Sequence, residues 1–152
     1  MAKVPVYGAK GVNWAGVVAV EAVVHACIEE GTDVCAETVL STDKYLRHVD
    51  LARARGLRTG LIFVALKNPD EHVARVRARV EAGGHDVPED KIRSRWEGAH
   101  RQLATFSLHV DHLLVFANER LAYPELVAEK IGSNLTIFDD QRLPRVTQAL
   151  RG

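Results

Sequence analysis

Apolar and polar positions follow two different periods along this chain. Residues 59–66 form a near-continuous apolar run, the pattern of a strand buried in a parallel sheet, and residues 112–117 read as another strand. Between them lie two helical patterns. Asn68-Pro69-Asp70 opens the first, with Pro69 suited to its first turn; Val73, Val76 and Val80 mark its inner face, while Arg75, Arg77 and Arg79 give the ordinary solvated charged face. The second runs from Pro88 to about Leu108, with Glu89 and Asp90 in its first turn. Upstream, residues 14–30 predict a helix stopped at Gly31, and residues 34–39 predict a short strand. A helix over 43–55 follows, capped by Ser41, Thr42 or Asp43 and ended at Gly56. Near the end of the chain, apolar runs at 126–131 and 135–138 flank Gly132-Ser133-Asn134 as a β-hairpin, and 144–150 predict a last short helix. Strand and helix in alternation imply an α/β fold, a parallel sheet with crossover helices and a carboxy-terminal hairpin. With no repeat and no Gly-, Pro- or Ser-rich linker, residues 1–152 read as one domain.

Composition narrows the function classes. Twenty Lys and Arg balance twenty Asp and Glu, so indiscriminate attraction to nucleic acid or anionic lipid is not expected. The longest apolar stretch, 14–24, is interrupted by Glu21 and too short to span a bilayer, and no secretory signal is recognisable. A cytoplasmic protein is the expectation, with Cys27 and Cys35 as reduced thiols serving packing. The histidines at 25, 48, 72, 100, 109 and 112 show no HExxH or similar spacing, so no metal site is expected, and His109 and His112 read as scattered surface residues.

Positive charge is local. Arg75 and Arg79, one helical turn apart, precede Gly83-Gly84-His85-Asp86-Val87-Pro88, and Arg93 and Arg95 follow it. Glycines permit a tight turn there, and guanidinium groups from both sides would suit a phosphate. The string RVRARVEAGGHDVPEDKIRSRW at 75–96, together with AETVLS at 36–41, resembles the zeta-toxin-like family of P-loop kinases, including those called predicted ABC-type ATPases, over roughly residues 17–118. The resemblance implies a toxin–antitoxin kinase that binds ATP and Mg and transfers a phosphoryl group to a small hydroxylated acceptor; the best characterised members act on UDP-N-acetylglucosamine. It implies Arg79 and Arg95 as catalytic lid charges, Arg75, Arg93 and His85 as phosphate contacts, and Glu37, Thr38 and Ser41 as acceptor contacts. The plainer reading of Glu37 is a salt bridge to a lid arginine, and that of His85 a structural cap in the turn.

The chain also departs from the family. A P-loop kinase needs GxxxxGK[ST], whose backbone N–H groups, lysine and hydroxyl hold the phosphates and magnesium, and this sequence has no Gly-Lys dipeptide. Gly8-Ala9-Lys10-Gly11, after the apolar stretch 4–7, is too short and lacks the hydroxyl; near Asn13, Ala15 stands where an acidic base belongs; Asn118 keeps only half of an Asp-Asn pattern. The fold is therefore expected to be P-loop kinase-like but truncated or degenerate at its amino terminus. Two function classes remain: an ATP-dependent kinase or a portion of one, and a catalytically silent nucleotide- or phosphate-binding domain completed by a homodimer or a partner chain.

Overall fold

The computed structural model describes residues 12–119 and 123–151. Its element order is α1 (Val12–Glu30), α2 (Leu46–Ala54), β1 (Gly60–Ala65), α3 (Pro69–Glu81), α4 (Glu89–His109), β2 (His112–Ala117), β3 (Glu125–Ile131), β4 (Asn134–Ile137) and α5 (Pro144–Arg151). The stretch 4–7 and the Gly8–Gly11 segment singled out in the sequence lie outside the described residues.

The four strands form one open sheet in the order β1-β2-β3-β4. β1 and β2 pair in parallel from Gly60 opposite His112 to Ala65 opposite Ala117, and the crossover between them is the α3–α4 pair. The other two pairings are antiparallel, so the expected parallel sheet is a mixed one with a single parallel pair. The reason is connection length. Only the β1-to-β2 link is long enough for a helical crossover, whereas β3 and β4 are joined by Gly132-Ser133, where Gly132 takes a φ of +58°.

One face of the sheet makes the core. Phe63 and Ala65 of β1 and Leu113, Val115 and Ala117 of β2 are buried with Ala99, Leu103 and Phe106 of α4 and Val146 of α5. Leu103, Leu113, Val115 and Val127 are fully excluded from solvent, and burying each such side chain is worth roughly 1.5–3 kcal/mol. The alternate residues of β1 point the other way, leaving Ile62 67% and Val64 51% exposed. The apolar run at 59–66 is thus a strand covered on one face, at the sheet edge, rather than one enclosed on both.

Residues 34–39 form no strand: the segment carries no regular secondary structure. None of Ser41, Thr42 and Asp43 caps α2, which starts at Leu46 behind Tyr45 without a side-chain cap. Asn68 does cap α3, its side chain accepting a hydrogen bond from the backbone N–H of Glu71 at 3.1 Å. The helix α1 packs on α2 through Val24, Ile28 and Ala52, a small core apart from the main one. Glu21 of α1 pairs with Arg47 of α2 at 2.5 Å and with Lys44, just ahead of α2, at 2.9 Å. No helix among the described residues is long and apolar enough to cross a membrane.

Candidate functional site

A cleft of about 770 Å³ opens between the extended segment 34–40, the free edge of β1, His72 of α3 and the Ile92-to-His100 stretch of α4. Its size is that of a small-ligand site. The segment 34–40 is held in place at one end. Leu40 adopts φ +55°, rare for a residue with a branched side chain, and in doing so buries that side chain to 4% exposure in the main core. Thr38 supports the bend by accepting a hydrogen bond from the Leu40 N–H at 3.2 Å on its Oγ1. Just beyond, the Ser41 backbone lies so close to α4 that a Cβ added at Gly98 would meet the Ser41 carbonyl oxygen at 2.7 Å. Glycine at 98 lets the segment dock on the helix.

The cleft wall is mostly apolar and carries few chemical groups. Among the described residues, Glu37 is its one carboxylate and Arg95 its one guanidinium; Thr38 adds a hydroxyl. Neither Glu37 nor Arg95 makes an ion pair among the described residues, so the salt bridge of the plainer reading of Glu37 is absent there. Glu37 is also exposed, not placed at the end of a buried strand. Three imidazoles, those of His72, His100 and His112, complete the wall. Burial pushes the pKa of His100 down, against a raising contribution from its bond to the Trp96 carbonyl. His72 is lowered by burial first, then by the charges of Arg75 and His100. The His72 and His100 rings are therefore neutral near neutral pH. Ring Nδ1 of His100 lies 2.7 Å from the Trp96 carbonyl oxygen, which accepts only, so Nδ1 carries the proton.

The remaining arginines go elsewhere. Arg93 is held by Asp70 at 2.6 Å and Glu89 at 2.7 Å, and Arg77 by the same Glu89 at 3.0 Å. These exposed pairs tie the start of α3 and its outer face to the first turn of α4. Arg75 donates to the Asn118 carbonyl. Arg79 donates to the His85 carbonyl at 3.0 Å, and its side chain lies where a Cβ on Gly84 would be, 2.6 Å from the Arg79 Cγ. Gly83, at φ +84°, ends α3 with its N–H on the Val80 carbonyl at 2.9 Å, and the Gly84 N–H follows on Arg79 at 2.8 Å. The Gly83–Pro88 turn is thereby built as the joint of a helical hairpin. Of the four guanidinium groups expected around one anionic pocket, the structure brings Arg95 alone to the cleft wall. His85 is exposed, contributing its carbonyl to the joint rather than capping it with its ring. Ser41 sits beside Gly98 at the edge of the segment and is not in the wall.

His72, His100 and Trp96 were not singled out from the sequence as site residues. A signal was present: Ile92, Trp96, Ala99, Leu103 and Phe106 mark the apolar stripe of α4, and His100 falls on that stripe one turn after Trp96. A polar ring on a buried face needs a partner or a ligand. Cys35 is exposed on the cleft wall and Cys27 half-buried, and both are free thiols. His109 pairs with Asp50 and His112 with Glu129, at 2.8 and 2.9 Å. No group of three or more His, Cys, Asp or Glu side chains among the described residues is arranged to hold a metal ion. A second cavity of about 680 Å³ lies between α1, α2 and the same 34–40 segment, and His48 in its wall is buried with no partner for Nδ1.

Comparison with known proteins gives little to add to this geometry. A 72-residue stretch is 26% identical to an uncharacterized protein of Haemophilus influenzae, covering 47% of this chain and 51% of that protein. The chain thus spans about half the length of the relative it matches. No family profile matches the chain, and no solved structure matches it.

Proposed function

We propose that this chain is a ligand-binding α/β domain of zeta-toxin-like kinase descent, whose cleft holds a small hydroxylated compound bearing a phosphate, such as a nucleotide sugar. Arg95 takes the anionic end, and Glu37 and Thr38 face the hydroxyl groups. One observation carries the reading: a guanidinium, a carboxylate and a threonine hydroxyl share a cleft of ligand size, with neither charge paired among the described residues. A guanidinium in an apolar wall makes strong charge-assisted bonds to phosphate oxygens.

The reading concerns binding, not transfer. Phosphoryl transfer from ATP with Mg depends on a phosphate cradle and a metal-ligating hydroxyl, and the 152-residue sequence contains no GxxxxGK[ST]. The kinase reading requires those parts from another polypeptide segment, which would bring the nucleotide to the cleft and leave Arg95 as the charge nearest the transferred group. The test is calorimetric titration of UDP-N-acetylglucosamine, and separately of ATP with Mg, into the wild type and Arg95→Ala. Binding of the nucleotide sugar weakened about ten- to hundredfold by the substitution is expected, as befits loss of a charge-assisted contact. Equal affinity in both proteins, or no heat with the wild type, would refute the assignment; tight ATP–Mg binding would favour the kinase reading instead.

A further inference from the structure

The proton on His100 Nδ1 has a consequence for the opposite side of the ring. Committed to the Trp96 carbonyl at 2.7 Å, the imidazole presents a bare lone pair at Nε2, and the hydrogen bonds of the described residues include none to that atom. His100 is 4% exposed and forms part of the cleft wall, together with Arg95 one and a half turns earlier on α4. Phe63 meets the ring edge-on at 6.0 Å and Trp96 lies 4.2 Å away, so aromatic packing fixes its plane. A neutral nitrogen so held can accept a hydrogen bond and cannot donate one. Nε2 is not among the buried side-chain atoms that lack a partner, so it opens to the cleft, where a ligand hydroxyl can take the place of water as its donor.

We propose that His100 is a specificity-determining residue of the cleft, its Nε2 accepting a hydrogen bond from a ligand hydroxyl while Arg95 holds the phosphate of the same molecule. The ligand class is then a phosphate ester of a polyol or sugar, distinguished from a plain alkyl phosphate by the hydroxyl. The inference rests on the phosphate-binding reading of the cleft and adds to it the group that reads the remainder of the molecule. His72, a second neutral imidazole of the wall, lines the same space from α3.

The experiment compares two probes of equal length, glycerol 3-phosphate and propyl phosphate, by titration into the wild type, Arg95→Ala and His100→Leu. The wild type is expected to prefer glycerol 3-phosphate by about three- to tenfold, the range of one neutral hydrogen bond. His100→Leu should erase that preference while leaving propyl phosphate affinity unchanged, and Arg95→Ala should weaken both probes. In the wild type, nitrogen-15 spectra of the imidazoles should show a proton on Nδ1 of His100 in the free protein. Its Nε2 resonance should move on adding glycerol 3-phosphate and stay in place with propyl phosphate. The spectra decide the matter even where the leucine variant folds poorly. A preference that survives His100→Leu, or an Nε2 resonance indifferent to the hydroxyl, overturns the role of His100 alone. Failure of both esters to bind overturns the phosphate reading and this inference with it.

Discussion

Gly98→Ala is the sharpest test of how the cleft is built, because two effects of known sign oppose each other. Alanine is favoured over glycine inside a helix by about 1 kcal/mol, and Gly98 lies mid-helix in α4. Against this, the new Cβ would sit 2.7 Å from the Ser41 carbonyl oxygen and 3.3 Å from both Ser41 Cα and Cβ. These are backbone and near-backbone atoms, so no rotamer change relieves the contact. The segment is pinned next door by Leu40, which is 4% exposed, and moving it by several tenths of an ångström disturbs the main core. Overpacking of this kind costs about 1–3 kcal/mol, so the net expectation is a loss of about 0–2 kcal/mol, centred near 1, and a fall in Tm of about 2–4 °C at that centre for a chain of this length. Thermal unfolding followed by circular dichroism measures it, with urea unfolding as the check: a lower midpoint at unchanged slope means the native state lost stability. Ser94→Ala, at an exposed position on the same helix, serves as reference and should be neutral or slightly stabilising. A Gly98→Ala protein stabilised by about 1 kcal/mol, the full helix-propensity gain with no opposing cost, would refute the close docking of residues 40–41 on α4.

Three further outcomes are expected. The Asp111 carboxylate accepts bonds from the Thr59 N–H at 2.8 Å and the Thr59 hydroxyl at 2.9 Å, and these, the backbone bond first, hold its pKa below the usual aspartate value. Because the folded pKa is the lower one, this stabilisation is present above the unfolded value and is lost as pH falls through the folded one. The Tm deficit of Asp111→Asn should therefore shrink from about pH 7 to about pH 3, near and below the ordinary aspartate range; a deficit constant over that interval would contradict the linkage. Asn68→Ala should cost about 1 kcal/mol in chemical denaturation by removing the α3 cap, and Asn68→Asp should retain most of it. Gly83→Ala, at φ +84° with open space around it, should cost about 1 kcal/mol through backbone strain alone; a neutral result would mean the α3–α4 joint is not formed as described.

Much of the fold was legible because it is local. The apolar period of α3 and α4, the proline and asparagine at the start of α3, and the glycine at the hairpin between β3 and β4 act within a few residues, and each element appears close to its expected bounds. Residues 34–39 were not legible in the same way. Their Val and Thr content suits a strand, but a strand exists only where a neighbour supplies hydrogen bonds, and none does here. The arginines show the same limit. Spacing located Arg75, Arg79, Arg93 and Arg95 around one turn, but which of them would be occupied by Asp70, Glu89 or a backbone carbonyl depended on how two helices meet.

The sequence by itself determined the helices, the paired strands, the balanced charge, the absence of a phosphate-cradling GxxxxGK[ST] and the presence of an arginine-rich helical hairpin. Tertiary structure decided the rest: a sheet with one parallel pair, a β1 covered on one face, and a cleft whose wall includes Arg95, Glu37, Thr38 and His100. Local preference follows from backbone geometry and side-chain period, both of which are written into neighbouring residues. Partnership between charges such as Arg93 and Asp70 depends on atoms brought together from separate elements, and only packing places them.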